Sequence, residues 1–539
     1  MPARLSFLLL PALLVSSVAQ KPVATDARAA ASFAAARKAG PLALHAFLER
    51  MPKGADLHMH LSGAIYAETF LNNAAEDHLC IDPVMHGFVR KAPGTGAQTP
   101  CAQGSVPAAN VFTDQKLYDA MVDSFSMRSF VPSAGVSGHD QFFATFDRFG
   151  GTDKKHTAEW LDEVAARAAA QNEQYLEVMM TPPFSHAAAL GYQIGWPTPL
   201  RPTSGSDTSV APAPDGTSRE QLGALRDKLL AGGLRDDIAI DRDQLDADLA
   251  ERRRIEHCGE PSAAPACAVE IRVLYQVLRA FPPQQVFAQT LLAFEVASID
   301  PNIVGLNFVQ PEDAYNAMNE YHRQMLMLDY LHSVYPGVHI SLHAGEVAPG
   351  LVPPPGLRFH IREAVDLGHA ERIGHGVDVM QETDSKLLLK ELADRHIMVE
   401  INLTSNDVIL GITAPNHPLP SYRAAHVPVA LSTDDEGVSR IDLTHEYTRA
   451  ALDYNLSYAD LKQMVRTGLE HTFLPGPGLW MKPDEFTRTV AACAGQAPGA
   501  DTPKAACVDY LKASPHAAQQ WELEHRFRAF ESAPSPGFR

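Results

Sequence analysis

The chain has 539 residues, a formal charge of −19 and 45% hydrophobic residues, enough apolar content for a sizeable core and too much for a disordered chain. The acidic balance argues against a nucleic-acid backbone or an anionic membrane surface as partner, since both repel a chain without a basic patch. The short run Glu251-Arg252-Arg253-Arg254 is too mixed to form one.

The N-terminus reads Met1-Pro2-Ala3-Arg4, then an apolar run from Leu5 to Val18 and the small-residue site Ser17-Val18-Ala19-Gln20. That pattern predicts a cleaved signal peptide over 1–19, hence a secreted or periplasmic protein. No later stretch is apolar and long enough to span a membrane. Six cysteines fall into three sequence-local pairs, which predicts disulfides Cys80–Cys101, Cys258–Cys267 and Cys493–Cys507 in an oxidising compartment.

Asp26 to Glu49 has a helical pattern and forms, within 20–50, an N-terminal helical extension that stops at Met51-Pro52-Lys53-Gly54. Gly54–Gly63 follows, with His58 and His60 spaced by one residue in an apolar run, so both point the same way from a strand. Residues 64–175 read as mostly helical, with a Gly/Pro/Thr-rich loop between Cys80 and Cys101 and a core cluster of Phe142, Phe143, Phe146 and Phe149.

Seven further β-type runs come next: Tyr175–Met180, Val269–Tyr275, Asn302–Phe308, Val338–His343, Arg372–His375, Ile397–Asn402 and Val427–Ser432. Helical segments such as Gln284–Ala297, Ala314–Tyr335 and Asp384–Arg395 separate most of them. Eight alternating units predict an α/β fold, a TIM (β/α)8 barrel over 51–475. The segment of about 185–265, after the second strand, is too long for an ordinary loop and reads as an insertion, its part Arg219–Glu256 charged and helical. The tail, 476–539, reads as a C-terminal helical extension.

In such a barrel the chemistry sits at the C-terminal strand ends. Those ends carry His58 and His60, then His343-Ala344-Gly345-Glu346, then His375-Gly376, then Thr433-Asp434-Asp435. Three histidines and a carboxylate at one mouth would make a zinc site with room for a water, the site of a hydrolase.

Taken together, HMH, SLHAGE, RIGHG and LSTDD resemble the adenosine deaminase family of metal-dependent TIM barrels, over roughly residues 51–475. The opening Met51–Ala55, the export signal, the Cys80–Cys101 loop and the long insertion are similar to the secreted branch, the adenosine deaminase-related growth factors. The dimerisation region of that branch is shortened here, and a homodimer is the assembly the resemblance allows.

The resemblance implies one zinc ion per chain, held by His58, His60, His343 and Asp434. It gives Glu346 a place facing purine N1, His375 the role of holding and helping to deprotonate the attacking water, and Asp435 a hydrogen bond to N7. Glu346 must then be protonated near neutral pH. The implied reaction is hydrolytic deamination of adenosine or 2′-deoxyadenosine to the inosine product and ammonia, so the partner is a small purine nucleoside.

Several positions depart from the family pattern. Ser62 stands where an acidic sugar contact is usual, and Gln310 replaces a glycine near purine N3. Gln310 is expected to line the pocket, with Glu312 near it. Glu436 stands where proline is frequent, and Glu400–Asn406 keeps part of the seventh-strand pattern; neither change is expected to touch the metal. His339, His360, His369 and His396 are expected to be structural or solvated.

Two alternatives stay open: a deaminase of another 6-aminopurine (adenine, a nucleotide or a modified nucleoside), and a non-catalytic extracellular signalling protein on the same scaffold. A binuclear amidohydrolase would want a bridging lysine at the fourth strand end, and Asn302–Gln310 has none. A cytidine-type deaminase would want His-x-Glu with Pro-Cys-x-x-Cys, which is missing.

Overall fold

A computed structural model of the chain describes residues 24–89, 100–198 and 217–533. The predicted signal peptide, part of the Cys80–Cys101 loop and the first part of the insertion lie outside those residues.

Eight parallel strands form one sheet: β1 Gly54–His60, β2 Glu173–Met180, β3 Glu270–Leu278, β4 Ile303–Val309, β5 His339–Ala344, β6 Arg372–His375, β7 Met398–Ile401 and β8 Val429–Leu431. Each pairs with the next in chain order. The strands are almost wholly buried, as expected of parallel strands covered by helices on one side and filled on the other.

Closure falls to one residue just past β8. Asp434 bridges to Met59, its N–H donates to the His58 carbonyl at 2.8 Å, and its carbonyl accepts from the His60 N–H at 3.0 Å. Together these make the TIM (β/α)8 barrel that the alternation of runs predicts.

Inside the barrel, apolar filling gives way to ions. The guanidinium of Arg372 (β6) lies 2.6 Å from Glu177 (β2) and 2.6 Å from Glu400 (β7), with all three side chains essentially inaccessible. Arg372 also stacks on the Phe473 ring, 3.9 Å from its centroid. Nearby, Asp56 accepts from the Thr433 N–H (3.1 Å) and hydroxyl (2.5 Å) and from the His58 N–H (3.1 Å). Burial, eased by those bonds, raises Asp56 to about 7.

Three local expectations need correcting. The first helix is two, Ala24–Ala39 and Pro41–Arg50, because Gly40 (φ 118°) and Pro41 break the run. The charged insertion helix is also two, Arg219–Ala231 and Leu234–Ile255, split at Gly233 (φ 105°). The Cys80–Cys101 region carries a small antiparallel sheet of Cys80–Asp82, Gly87–Val89 and Val106–Pro107.

The three cysteine pairs are bonded as their proximity predicts, and the phenylalanine cluster packs as core. Both extensions meet under the barrel wall: Phe47 contacts Phe530, and Lys462 reaches Glu531 at 2.5 Å and Asp26 at 3.0 Å. Among the described residues no helix is long and apolar enough to cross a membrane.

Candidate active site

The strand ends converge on four donors. His343 Nε2 lies 3.1 Å from His58 Nε2 and 3.1 Å from His60 Nε2. Asp434 Oδ1 is 3.4 Å from the first of these and 3.2 Å from the second. The four buried side chains each bring one ligand atom into a cluster no wider than 4.8 Å.

Hydrogen bonds from behind fix which nitrogen of each ring faces the cluster. His58 Nδ1 donates to Glu400 Oε2 at 2.6 Å. His343 Nδ1 donates to Asn307 Oδ1 at 2.7 Å, and Asn307 is itself oriented because the same oxygen accepts the His343 N–H at 3.1 Å. The Nε2 lone pairs of both rings therefore point inward, at a contact distance where lone pairs repel. A cation between them, or a proton on His58 Nε2, satisfies the arrangement. Burial would lower His58, yet Asp434 and Glu400 raise it to about 10. Burial and the neighbouring imidazoles hold His343 well below its usual value. Three imidazole nitrogens and a carboxylate fit a divalent cation of the zinc type.

Ser405 donates its hydroxyl to Asp434 Oδ2 at 2.6 Å and so fixes the carboxylate that offers Oδ1 to the cluster. Glu400 and Ser405 thus orient donors of the cluster, a supporting role the sequence reading of Glu400–Asn406 did not name. The readable signal is a charged residue inside the short apolar strand Met398–Ile401, which has to be paired when buried.

His375, fully buried at the end of β6 with φ 69°, lies between two carboxylates, its Nδ1 3.7 Å from Glu346 Oε1 and its Nε2 3.9 Å from Asp434 Oδ2. Burial, helped by the charges of Asp434 and Glu312, raises Glu346 well above the usual carboxyl range. Its backbone is held from below: Glu312 accepts the N–H groups of Gly345 (3.0 Å) and Glu346 (2.7 Å), and His360 Nδ1 at 2.5 Å. Burial opposes ionisation of Glu312, but His360, Arg279 and these amides bring it down to about 2.

Both Glu312 oxygens are spent on the protein, so the expected pocket neighbour is instead the brace of the loop that carries Glu346. Gln310 has φ 86°; its side-chain oxygen accepts the Ala280 N–H at 2.9 Å, and its carbonyl accepts Arg279 Nε at 3.1 Å. Arg279 also donates to the His343 carbonyl at 3.1 Å, a clamp on β4 and β5 that the sequence reading did not identify. Ser62 is half-buried in the short helix Leu61–Ala64.

Asp435 follows Asp434, one of the four clustered donors. Burial and the adjacent Asp434 charge raise it well above the carboxylate range, and its Oδ1 is buried without a hydrogen-bond partner. It fits because residue 63 is glycine: a Cβ there would stand 1.5 Å from that oxygen. Of the four histidines expected to be structural or solvated, His360 is the Glu312 partner, and His339, His369 and His396 pair with Glu371, Asp329 and Asp484.

Residues 253–479 match the family model described as adenosine deaminase. An adenosine deaminase of Escherichia coli O1:K1 / APEC is 39% identical over 141 residues, which are 26% of this chain and 38% of that protein. An adenine deaminase of Rhizobium leguminosarum bv. trifolii is 30% identical over 208 residues, 38% of this chain and 58% of that protein. The matches therefore span from about two fifths to under two thirds of these relatives' lengths. The crystal structure of the arabidopsis N6-mAMP deaminase superposes with a TM-score of 0.50 at 21% identity, covering 80% of this chain and 96% of that one, a likeness of fold. The strand-end motifs, the barrel they sit on and the match over residues 253–479 agree in their similarity to the adenosine deaminase family.

Proposed function

We propose that the protein is an exported, zinc-dependent aminohydrolase that removes the 6-amino group of adenosine or 2′-deoxyadenosine. One observation carries this reading: a buried carboxyl group, Glu346, raised well above the usual carboxyl range by its burial, stands beside His375 next to a cluster of four potential cation donors. His58, His60, His343 and Asp434 would hold the ion, which when bound supplies the Lewis acidity that makes water a nucleophile near neutral pH.

The other steps belong to side chains. Water adds to C6 of the purine while Glu346 gives its proton to N1 as the ring loses aromaticity; of the two protons of the water, one joins the amino group, which leaves as ammonia when the C6–N bond breaks, and the other returns to Glu346. Asp435, neutral in its buried setting, donates to N7. His375 keeps the attacking oxygen in line, and the closed floor of β-strand side chains excludes other water. The apolar N-terminal run and three disulfides support export to an oxidising compartment.

A second reading keeps the chemistry and changes the substrate to another 6-aminopurine. Ser62, a hydroxyl in place of a carboxylate, favours it, as does the resemblance to an adenine deaminase. Release of ammonia from adenosine, 2′-deoxyadenosine, adenine and AMP, and of methylamine from N6-methyl-AMP, each with and without added zinc after chelation, tests both readings. The first expects nucleosides to be fastest by at least tenfold and zinc to restore activity. No turnover of any of the five with zinc bound would refute both.

A further inference from the structure

His375 is reached from behind by a hydrogen-bond chain whose every direction is fixed. It starts at the Leu419 backbone N–H, which can only donate; it does so to His417 Nδ1 at 3.1 Å. That leaves the ring proton of His417 on Nε2, which lies 3.0 Å from Asn406 Oδ1. The Asn406 side-chain oxygen is thus an acceptor and its Nδ2 a donor, and Nδ2 lies 2.9 Å from His375 Nδ1. Asn402 Nδ2 lies 3.4 Å from the same nitrogen and 3.5 Å from Nε2, so the 2.9 Å contact of Asn406 is the one that selects the tautomer. His375, Asn402 and Asn406 are fully buried and His417 is 2% exposed, so water does not compete for these bonds.

We propose that Asn406 and His417 are positioning residues that set the tautomer of His375, keeping its proton on Nε2. This rests on the aminohydrolase reading for its meaning in catalysis, though the tautomer itself is a property of the fold. It changes what His375 does there. The ring nitrogen toward Asp434 Oδ2 carries a hydrogen, so His375 begins the reaction as a hydrogen-bond donor to the oxygen that attacks. The sequence reading assigned His375 the holding of the attacking water and help in deprotonating it; of these, the tautomer assigns Nε2 the holding. Asn406 lies in the short helix Leu403–Leu410, and the connection Gly411–Asn416 that follows brings the His417 imidazole to the back of the site.

The test uses the full chain, loaded with zinc, labelled with 15N-histidine, with His375→Gln supplying the assignment by difference. Long-range 1H–15N correlation spectra distinguish a protonated from a bare ring nitrogen. The wild type is expected to show a bare Nδ1 and a protonated Nε2 at His375. Asn406→Asp places an acceptor opposite Nδ1 and is expected to invert the pattern, lowering kcat about 10²- to 10⁴-fold with KM and zinc content within severalfold of wild type. His417→Gln, which retains a donor toward Asn406, should recover most of the rate lost in His417→Leu. A wild-type spectrum with the proton on Nδ1 overturns the proposal even where the variants fail to fold. So does an Asn406→Asp protein with an unchanged pattern or an unchanged kcat. Absence of deamination with the expected wild-type spectrum would strike the functional reading and leave the tautomer relay standing.

Discussion

Two buried polar layers share the barrel, and they treat charge in opposite ways. In the lower one Arg372 is matched by Glu177 and Glu400 at 2.6 Å each, and Asp56 is answered by two donors from Thr433. At the mouth, inward lone pairs of His58 and His343 meet at 3.1 Å, and Asp435 keeps an oxygen with no partner. Matched charges make a frame, whereas mismatched ones hold a place for something that arrives from outside. Glu400 belongs to both layers, since it grips Arg372 with one oxygen and His58 with the other.

If that division is right, mouth variants should lose turnover while keeping the fold, and frame variants the reverse. Glu346→Gln should lower kcat about 10²- to 10⁴-fold with unchanged zinc content and unchanged melting temperature, read by ammonia release, metal analysis and calorimetry. The same group sets a pH limb. Its pKa is raised, so the proton it must donate is present at neutral pH and is lost as pH climbs through that value. Wild-type kcat should therefore fall on the alkaline side, and activity that rises steadily to pH 10 would contradict this role.

Gly63→Ala should expel the Asp435 side chain from its place, lowering kcat/KM about tenfold to a hundredfold, the equivalent of roughly 1.4–2.7 kcal/mol, again with zinc retained. Glu400→Gln tests the shared residue. It should weaken zinc about 10- to 100-fold, measured by competition with a chelator, and should also lower the melting temperature because Arg372 loses a charge partner. Smallest on chemistry and largest on the frame is Arg372→Met, which strands two buried carboxylates and should cost about 3–5 kcal/mol in denaturant unfolding. A stable Arg372→Met protein that lost its zinc instead would erase the distinction between the layers.

The barrel was legible because each buried strand writes a short apolar run and each crossover a helical one. The four clustered donors were legible because their motifs lie at strand ends. What orients them was not: Glu400 meets His58 across 342 residues of chain, and nothing local in Met398–Ile401 names its partner. His417 sits in a connection that reads as a plain turn, and Glu312, polar and next to a pocket motif, reads the same whether it faces a ligand or a backbone. The small sheet beside Cys80 escaped because strands of two or three residues are too short to show a period of two. The two helix breaks at Gly40 and Gly233 had visible signals in their glycines, overridden by the helical pattern around them.

The closure at Asp434 bears on how the protein is made. The first strand leaves the ribosome early, and the segment that completes its hydrogen bonds comes late; the Asp56–Thr433 contact alone spans 377 residues. Because the closing residue is also the fourth donor to the cluster, a chain that ends before it lacks a complete donor set. An ion that needs all four donors is then retained only by finished molecules, so zinc retention after gel filtration would count complete barrels in a preparation, independently of any substrate.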